Sequence, residues 1–396
     1  MSNQNPVFIP GPTNIPDVIR KACDMATLDH RSGEFAEIFA PAVAGVKQVL
    51  KTKTAEIVIF PATGTGGWEA AICNTLSPGD KVLAARHGMF SQRWIDLCQR
   101  HGLDVQIVET PWGEGCPTQP YAEILAADKS HEIKAVLATH NETATGVRSD
   151  IAGVRKALDS SSHPALLLVD GVSSIGSMDF RMDDWGVDIA VTGSQKGFML
   201  PAGLAIVGIS PKALSHAKSA KLHRTFFDFN DMLRSYETGG YPYTPAVGLL
   251  NGLKTATDML LTEGLDNVFA RHHRIAEGIR RAVFAWGMTP CAASPDLFSD
   301  TVTAINTPDG FNATDIVTHA ANSYGVAFGV GLGDVAGKVF RIGHLGSLTD
   351  VMALSGIATA EMAMADLGLP ITLGSGVAAA QDFYRGGNGA QAIAAE

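Results

Sequence analysis

Asp170 and Lys196 are the residue pair in this sequence best suited to covalent chemistry. Two short apolar runs, 166–169 and 189–192, read as buried strands of a parallel sheet. The first ends on Asp170, and the second runs into Gly193-Ser194-Gln195-Lys196. In an open α/β sheet, ligands bind beyond the carboxyl ends of strands, so both polar residues are expected at one crevice. A lysine and a carboxylate brought together there fit pyridoxal phosphate chemistry. The lysine forms a Schiff base, and the carboxylate keeps the pyridine nitrogen protonated so that the ring acts as an electron sink. A plain ion pair at the sheet edge would use the same two residues, and that alternative stays open at this point.

Other residues add to the pattern. The Gly-rich turn Pro61-Ala62-Thr63-Gly64-Thr65-Gly66-Gly67-Trp68 falls between a strand pattern and a helix pattern, where free backbone N–H groups bind phosphate. It lacks the third glycine of the dinucleotide fingerprint and the G-K-[ST] of a P-loop, and a tight structural turn would look the same. Phe90 follows the next strand and could stack on a flat ring or fill the core. The polar run Thr139-His140-Asn141-Glu142-Thr143-Ala144-Thr145-Gly146 follows an apolar strand, which fits ligand contacts or the capping of a turn. Arg341 interrupts the apolar strand 339–342; a buried arginine needs a partner, either a substrate α-carboxylate or an internal carboxylate. His272 and His273, between Arg271 and Arg274, read as a solvated helix face, and no His/Asp/Glu cluster has metal spacing.

These residues need a scaffold, and the periodicity supplies one. Strand and helix patterns alternate: strands 56–60, 81–85, 105–108, 135–139 and 205–208, with helices 65–74, 90–101 and 150–158. That alternation predicts a mostly parallel sheet covered by helices. After the loop at 239–245 come a long helical region, 246–285, then a strand at 301–305, a helix at 313–324, a strand at 339–342 and a helix at 349–367. The expected organisation is a Pro- and Gly-rich arm at 1–20, a large domain at 21–262 and a smaller α+β domain at 263–396.

Composition narrows the function class. A net charge of −10, with no basic run of five residues, argues against nucleic-acid binding. Five scattered cysteines without a C-x-x-C fit reduced thiols in a cytoplasmic protein. The start, MSNQNPVFIPGPTNIP, lacks an export signal, and no stretch approaches the roughly 18 apolar residues of a membrane span.

Taken together, the motifs resemble the class V, fold-type I, pyridoxal-phosphate aminotransferases, in the serine–glyoxylate and alanine–glyoxylate branch. The resemblance rests on FIPGPTNIP (8–16), ATGTGGWEAA (62–71), HNETATGV (140–147), LLLVDGVSSI (166–175), FRMDDWGVD (180–188), TGSQKG (192–197), YPYTP (241–245) and AGKVFRIGHLG (336–346). It implies that Lys196 holds pyridoxal phosphate and shuttles a proton, with Asp170 on the pyridine nitrogen. Val172 and Phe90 would take the two ring faces, and Thr143 the neighbourhood of the ring hydroxyl. Thr65, Gly66, Gly67 and Gln195 would hold the phosphate, Arg341 the substrate α-carboxylate. Tyr241 and Thr244 would reach the phosphate of a partner subunit, which implies an obligatory homodimer, with pairing into tetramers left open.

The implied reaction moves the amino group of a small L-amino acid to glyoxylate, giving glycine and a 2-keto acid. Serine is the first donor expected, aspartate comes close behind and alanine third; aspartate would give oxaloacetate. Arg31, Arg224 or His30 could meet a distal carboxylate. A same-fold lyase of the desulfurase kind would want a late cysteine, and none follows Cys291.

Overall fold

The apolar runs that sequence reading marks as buried strands are buried on both sides. In a computed structural model describing residues 5–386, nine strands come first: β1 (Glu56–Phe60), β2 (Lys81–Arg86), β3 (Asp104–Glu109), β4 (Ile133–Thr139), β5 (Asn141–Glu142), β6 (Val147–Arg148), β7 (Leu166–Asp170), β8 (Ile189–Gly193) and β9 (Ala205–Ile209). Seven of them form one sheet in the order β1-β9-β8-β7-β4-β2-β3, and β5 and β6 form a separate hairpin. Residues 1–4 of the expected arm and 387–396 of the expected small domain lie outside the described residues.

Alternation along the strands divides the core into two layers. Leu167 and Val169 of β7 pack with Ile57, Ile59 and Val136 on one face. Leu166 and Leu168 pack with Val58, Val82 and Ala135 on the other. A strand covered on both faces has no polar face to show, which is why β7, β8 and β9 read as unbroken apolar runs.

The sheet departs from full parallelism at β9, which runs antiparallel to both β1 and β8. The segment between Gly193 and Ala205 holds no helix, and a parallel return requires a crossover of a dozen or more residues, usually helical. The remaining six strands point one way, so their carboxyl ends share one edge.

A second, antiparallel sheet contains β10 (Thr289–Pro290), β11 (Val302–Asn306), β12 (Gly329–Val330) and β13 (Val339–Gly343), in the order β10-β11-β13-β12. Its own core includes Ile305, Phe340, Ile342 and Ile357. The region 246–285, expected as one helical stretch, is two helices, Val247–Glu263 and Leu265–Ala285, broken at Gly264 with φ +85°.

The N-terminal arm ties the two sheets together. Phe8 bridges to Phe328 and its carbonyl accepts from Gly343 N at 2.6 Å. Thr13 N then reaches Gln195 O at 3.3 Å. A helix begins at Asp17, inside the segment expected to stay extended. No helix among the described residues is long and apolar enough to cross a membrane.

Candidate functional site

The common edge gathers the loops that follow β1, β2, β4, β7 and β8, and these loops carry most of the residues singled out in the sequence. Asp170 closes β7, in register with Thr139 of β4 and Val191 of β8. Lys196 follows β8 by one short turn. Burial raises the Asp170 carboxyl to about 7; the Val172 N–H, donating to Asp170 Oδ1 at 2.9 Å, pulls the other way and Glu142 adds to the rise. Burial also brings the Lys196 amine down to about 8, helped by the Arg341 cation and opposed by Asp170. The Lys196 ammonium donates to the Pro10 carbonyl. Gly11, at φ +97°, leaves room for that side chain: a Cβ there would lie 2.7 Å from Lys196 Nζ.

Two helix N-termini meet this edge and are treated oppositely. The helix Met89–Arg100 is closed by Glu142, a carboxylate with no exposed surface. Glu142 accepts from Phe90 N, Ser91 N and Ala144 N at 3.1, 2.9 and 3.0 Å. The helix Gly64–Thr75 has no side-chain cap, so its first N–H groups stay free for an anion. Around that open end the walls are tight: a Cβ on Gly67 would lie 2.6 Å from Val191 Cγ1, and one on Gly66 2.9 Å from Ala62 Cβ. Beside it Gln195 Oε1 is buried with no hydrogen-bond partner. An uncapped helix end and a glycine cradle fit a phosphate, and the neighbouring Asp170 and Lys196 fit the rest of the expected cofactor.

Val172 reaches this cradle from the other side, 2.6 Å from where a Gly64 Cβ would be. Thr143 is buried and donates from Oγ1 to Ser173 Oγ at 2.7 Å. Phe90 is half-buried at the first turn of its helix, with the Arg93 guanidinium 5.3 Å from its ring centre. Arg341 is buried in β13; its Nε donates to Val330 O at 2.9 Å and its Nη1 to Thr143 O at 3.0 Å. Among the described residues no carboxylate lies within ion-pair distance of it, so the internal salt bridge left open above is absent there.

Tyr241 and Thr244 stand apart from this cluster. The Tyr241 hydroxyl donates to Ile59 O of its own chain, and Thr244 is exposed. Arg224 is occupied by Asp228 and by the carbonyls of Cys73, Ala220, Leu222 and Ala217, which removes it as a reader of a distal carboxylate. The expected solvated histidine pair splits. His273 is exposed, while His272 is fully buried between Val268 O and Gly346 N, because helix Leu265–Ala285 turns that face into the core.

Glu142 is the residue whose role sequence reading did not assign. In sequence it is one acidic residue of a polar loop, 52 positions from the Phe90 N–H it accepts from. One cluster of possible metal ligands joins Glu69 and Cys73 of the same open-ended helix to His101, which follows the helix Met89–Arg100. There His101 Nδ1 faces Cys73 Sγ at 3.7 Å and Nε2 faces Glu69 at 3.5 Å, so its two nitrogens serve different partners rather than one ion.

Comparison with known proteins agrees with this geometry. The aminotransferase class-V family model matches residues 20–339. An L-aspartate–glyoxylate aminotransferase of Paracoccus denitrificans is 71% identical, with 97% of each chain covered. A serine–glyoxylate aminotransferase of Hyphomicrobium methylovorum is 54% identical over 96% of this chain and 94% of its own. Among solved structures, a pyridoxamine-pyruvate aminotransferase from Mesorhizobium loti aligns with a TM-score of 0.89 at 29% identity, covering 97% of this chain and 98% of that one. The residues at the sheet edge and the match along most of the chain lead to one assignment: this protein belongs to the class-V aminotransferases, enzymes that work with pyridoxal phosphate.

Proposed function

We propose that this enzyme transfers the amino group of L-aspartate to glyoxylate, forming oxaloacetate and glycine, with L-serine as the second donor. The observation that carries the choice is the 71% identity, end to end, to an L-aspartate–glyoxylate aminotransferase, against 54% to a serine–glyoxylate enzyme. The resemblance put serine first and aspartate close behind; the higher identity to the aspartate enzyme supports reversing that order.

Arg341 binds the substrate α-carboxylate: it is buried, lacks a carboxylate partner among the described residues and presents a planar fork. Thr65, Gly66 and Gly67 hold the phosphate at the uncapped helix end, with Gln195 donating from its amide nitrogen. Phe90 and Val172 take the two faces of the ring, and Thr143 stands near its hydroxyl. Bound pyridoxal phosphate supplies the sink for the electrons left at the substrate Cα. Lys196 anchors it and then moves the proton: its Nζ, lowered to about 8, is a base strong enough and neutral enough to take a proton from Cα near neutral pH. Asp170 holds a proton on the ring nitrogen by its negative charge. Tyr241 and Thr244 complete the phosphate site of a partner subunit, so the active form is a homodimer. We place the enzyme in the cytoplasm and divide it into an arm (1–20), a large domain (21–262) and a small domain (263–396).

The test is a single-turnover experiment with the cofactor-loaded enzyme and aspartate, serine or alanine in turn. Fastest loss of the yellow colour with aspartate, with oxaloacetate as product, is the expected result. Fastest loss with serine would make serine the physiological donor, and no reaction with any of the three would overturn the reading.

A further inference from the structure

A cavity of about 640 Å³ opens beside His140, away from the Lys196 cradle. Its walls come from the segment after β6, the Met178–Trp185 stretch and the helix Leu265–Ala285. Trp185 and Phe269 give it flat apolar surfaces.

The polar groups in the wall are unevenly matched. Three of the four carboxylates are occupied. Asp179 accepts from Lys51 Nζ and Arg181 Nε, both at 2.7 Å. Asp300 accepts from His273 Nδ1 at 3.1 Å and Arg280 Nη2 at 3.3 Å. Asp150 caps the helix Ile151–Ser160 through Gly153 N at 2.8 Å. Asp296 is exposed at the rim. The donors are left over. Arg148 makes one bond, from Nη2 to Asp296 O at 3.2 Å, and among the described residues has no carboxylate within ion-pair distance. His140 is 3% exposed; its Nδ1 meets Ser174 Oγ at 2.9 Å, and its Nε2 has no partner among the described residues. Burial, with Arg148 nearby, lowers His140 to about 3, so the ring is neutral. The Ser174 hydroxyl also meets Gly171 O at 3.3 Å; when it turns from that carbonyl and donates to Nδ1 instead, Nε2 carries the hydrogen and faces the cavity as a donor. Spare donors, acceptors satisfied everywhere but at the Asp296 rim, and aromatic walls select a flat organic anion.

We propose that this cavity is an effector site for a small organic monocarboxylate with a flat apolar body, held by Arg148 and His140 between Trp185 and Phe269. The cavity is wired to the cradle by short bonds. His140 N donates to Asp170 O at 2.9 Å, and Ser174 belongs to the turn that carries Val172 and Ser173. Ser173 Oγ in turn bonds Asn141 O and Thr143 Oγ1 at 3.0 and 2.7 Å. An anion that draws on His140 therefore pulls on the backbone that seats Asp170 and Thr143.

The experiment uses the holoenzyme, with phenylacetate as the probe and neutral phenylacetamide as its control. Tryptophan fluorescence reports occupancy through Trp185, and steady-state kinetics reports coupling. The expected result is saturable quenching by phenylacetate and not by the amide, a change in kcat that excess amino donor does not reverse, and binding at least tenfold weaker in Arg148→Met. A carboxylate that merely occupies Arg341 would compete with the amino donor and bind Arg148→Met as well as the native enzyme, and that outcome overturns the proposal. So do the absence of quenching and Arg148-dependent binding that leaves kcat unchanged. Trp185→Phe, which removes the reporter but keeps an aromatic wall, assigns the signal.

Discussion

Burial raises Asp170 to about 7 from an ordinary value of 3.8, so across that window the folded protein keeps a proton the unfolded chain has released. Stability then falls as pH rises from about 4 to 7, and the full cost persists above 7. Asp170→Asn removes that cost. In cofactor-free protein its melting temperature should match the native value near pH 4 and exceed it by a few degrees at pH 8. Scanning calorimetry across pH reads the difference, and a gap that does not change with pH would show the carboxyl titrating normally. The same variant should lose turnover once loaded with cofactor. Asp170, Lys196 and Arg341 were legible in the sequence because each is a polar residue stranded at the end of, or inside, an apolar strand. Glu142 was not, since a buried carboxylate satisfied by backbone N–H groups looks, in sequence, like any acidic loop residue.

At the scale of elements, Glu142 does for the helix Met89–Arg100 what a ligand phosphate is expected to do for the helix Gly64–Thr75: it supplies the negative end. Glu142→Gln sets an amide NH₂ against backbone donors and leaves buried N–H groups unmatched. The cost should be about 2–4 kcal/mol, read from urea unfolding, with weaker cofactor retention because Phe90 loses its fixed position. A change below about 0.5 kcal/mol would mean those N–H groups find other acceptors. Most strands and long helices were readable, because their apolar spacing is set locally. The direction of β9 is not in its composition, since Ala205–Ile209 is apolar whichever way it runs. The clue was the short connection from Gly193, with no helical pattern to carry a crossover. Helices such as Phe229–Tyr236 and Thr118–Ala127 escaped because each is short and only partly buried.

At the scale of the molecule, the proposed assembly makes a sharp prediction. If Tyr241 and Thr244 serve the partner's phosphate site, two inactive proteins should rescue each other. Lys196→Ala supplies an intact Tyr241 and Thr244; a Tyr241→Phe, Thr244→Val chain supplies an intact Lys196. Random mixing puts about half the chains in mixed dimers with one whole site each, so about a quarter of native activity should return. No recovery after verified subunit exchange would place these two residues outside the site. What sequence reading could not see here is the arm's destination, because Phe8 finds its partners in β12's approach and β13, at the far end of the chain.

That arm has a consequence in time. A ribosome releases Phe8 and Pro10 long before Phe328 and Gly343 exist, so the segment that rests on Lys196 is made first and seated last. Every residue of the Asp170–Lys196 edge can be in place while the front of the arm still lacks Phe328 and Gly343 to pair with. The full seating of the arm over the lysine thus comes late in synthesis: it waits until β13 has emerged to meet Phe8.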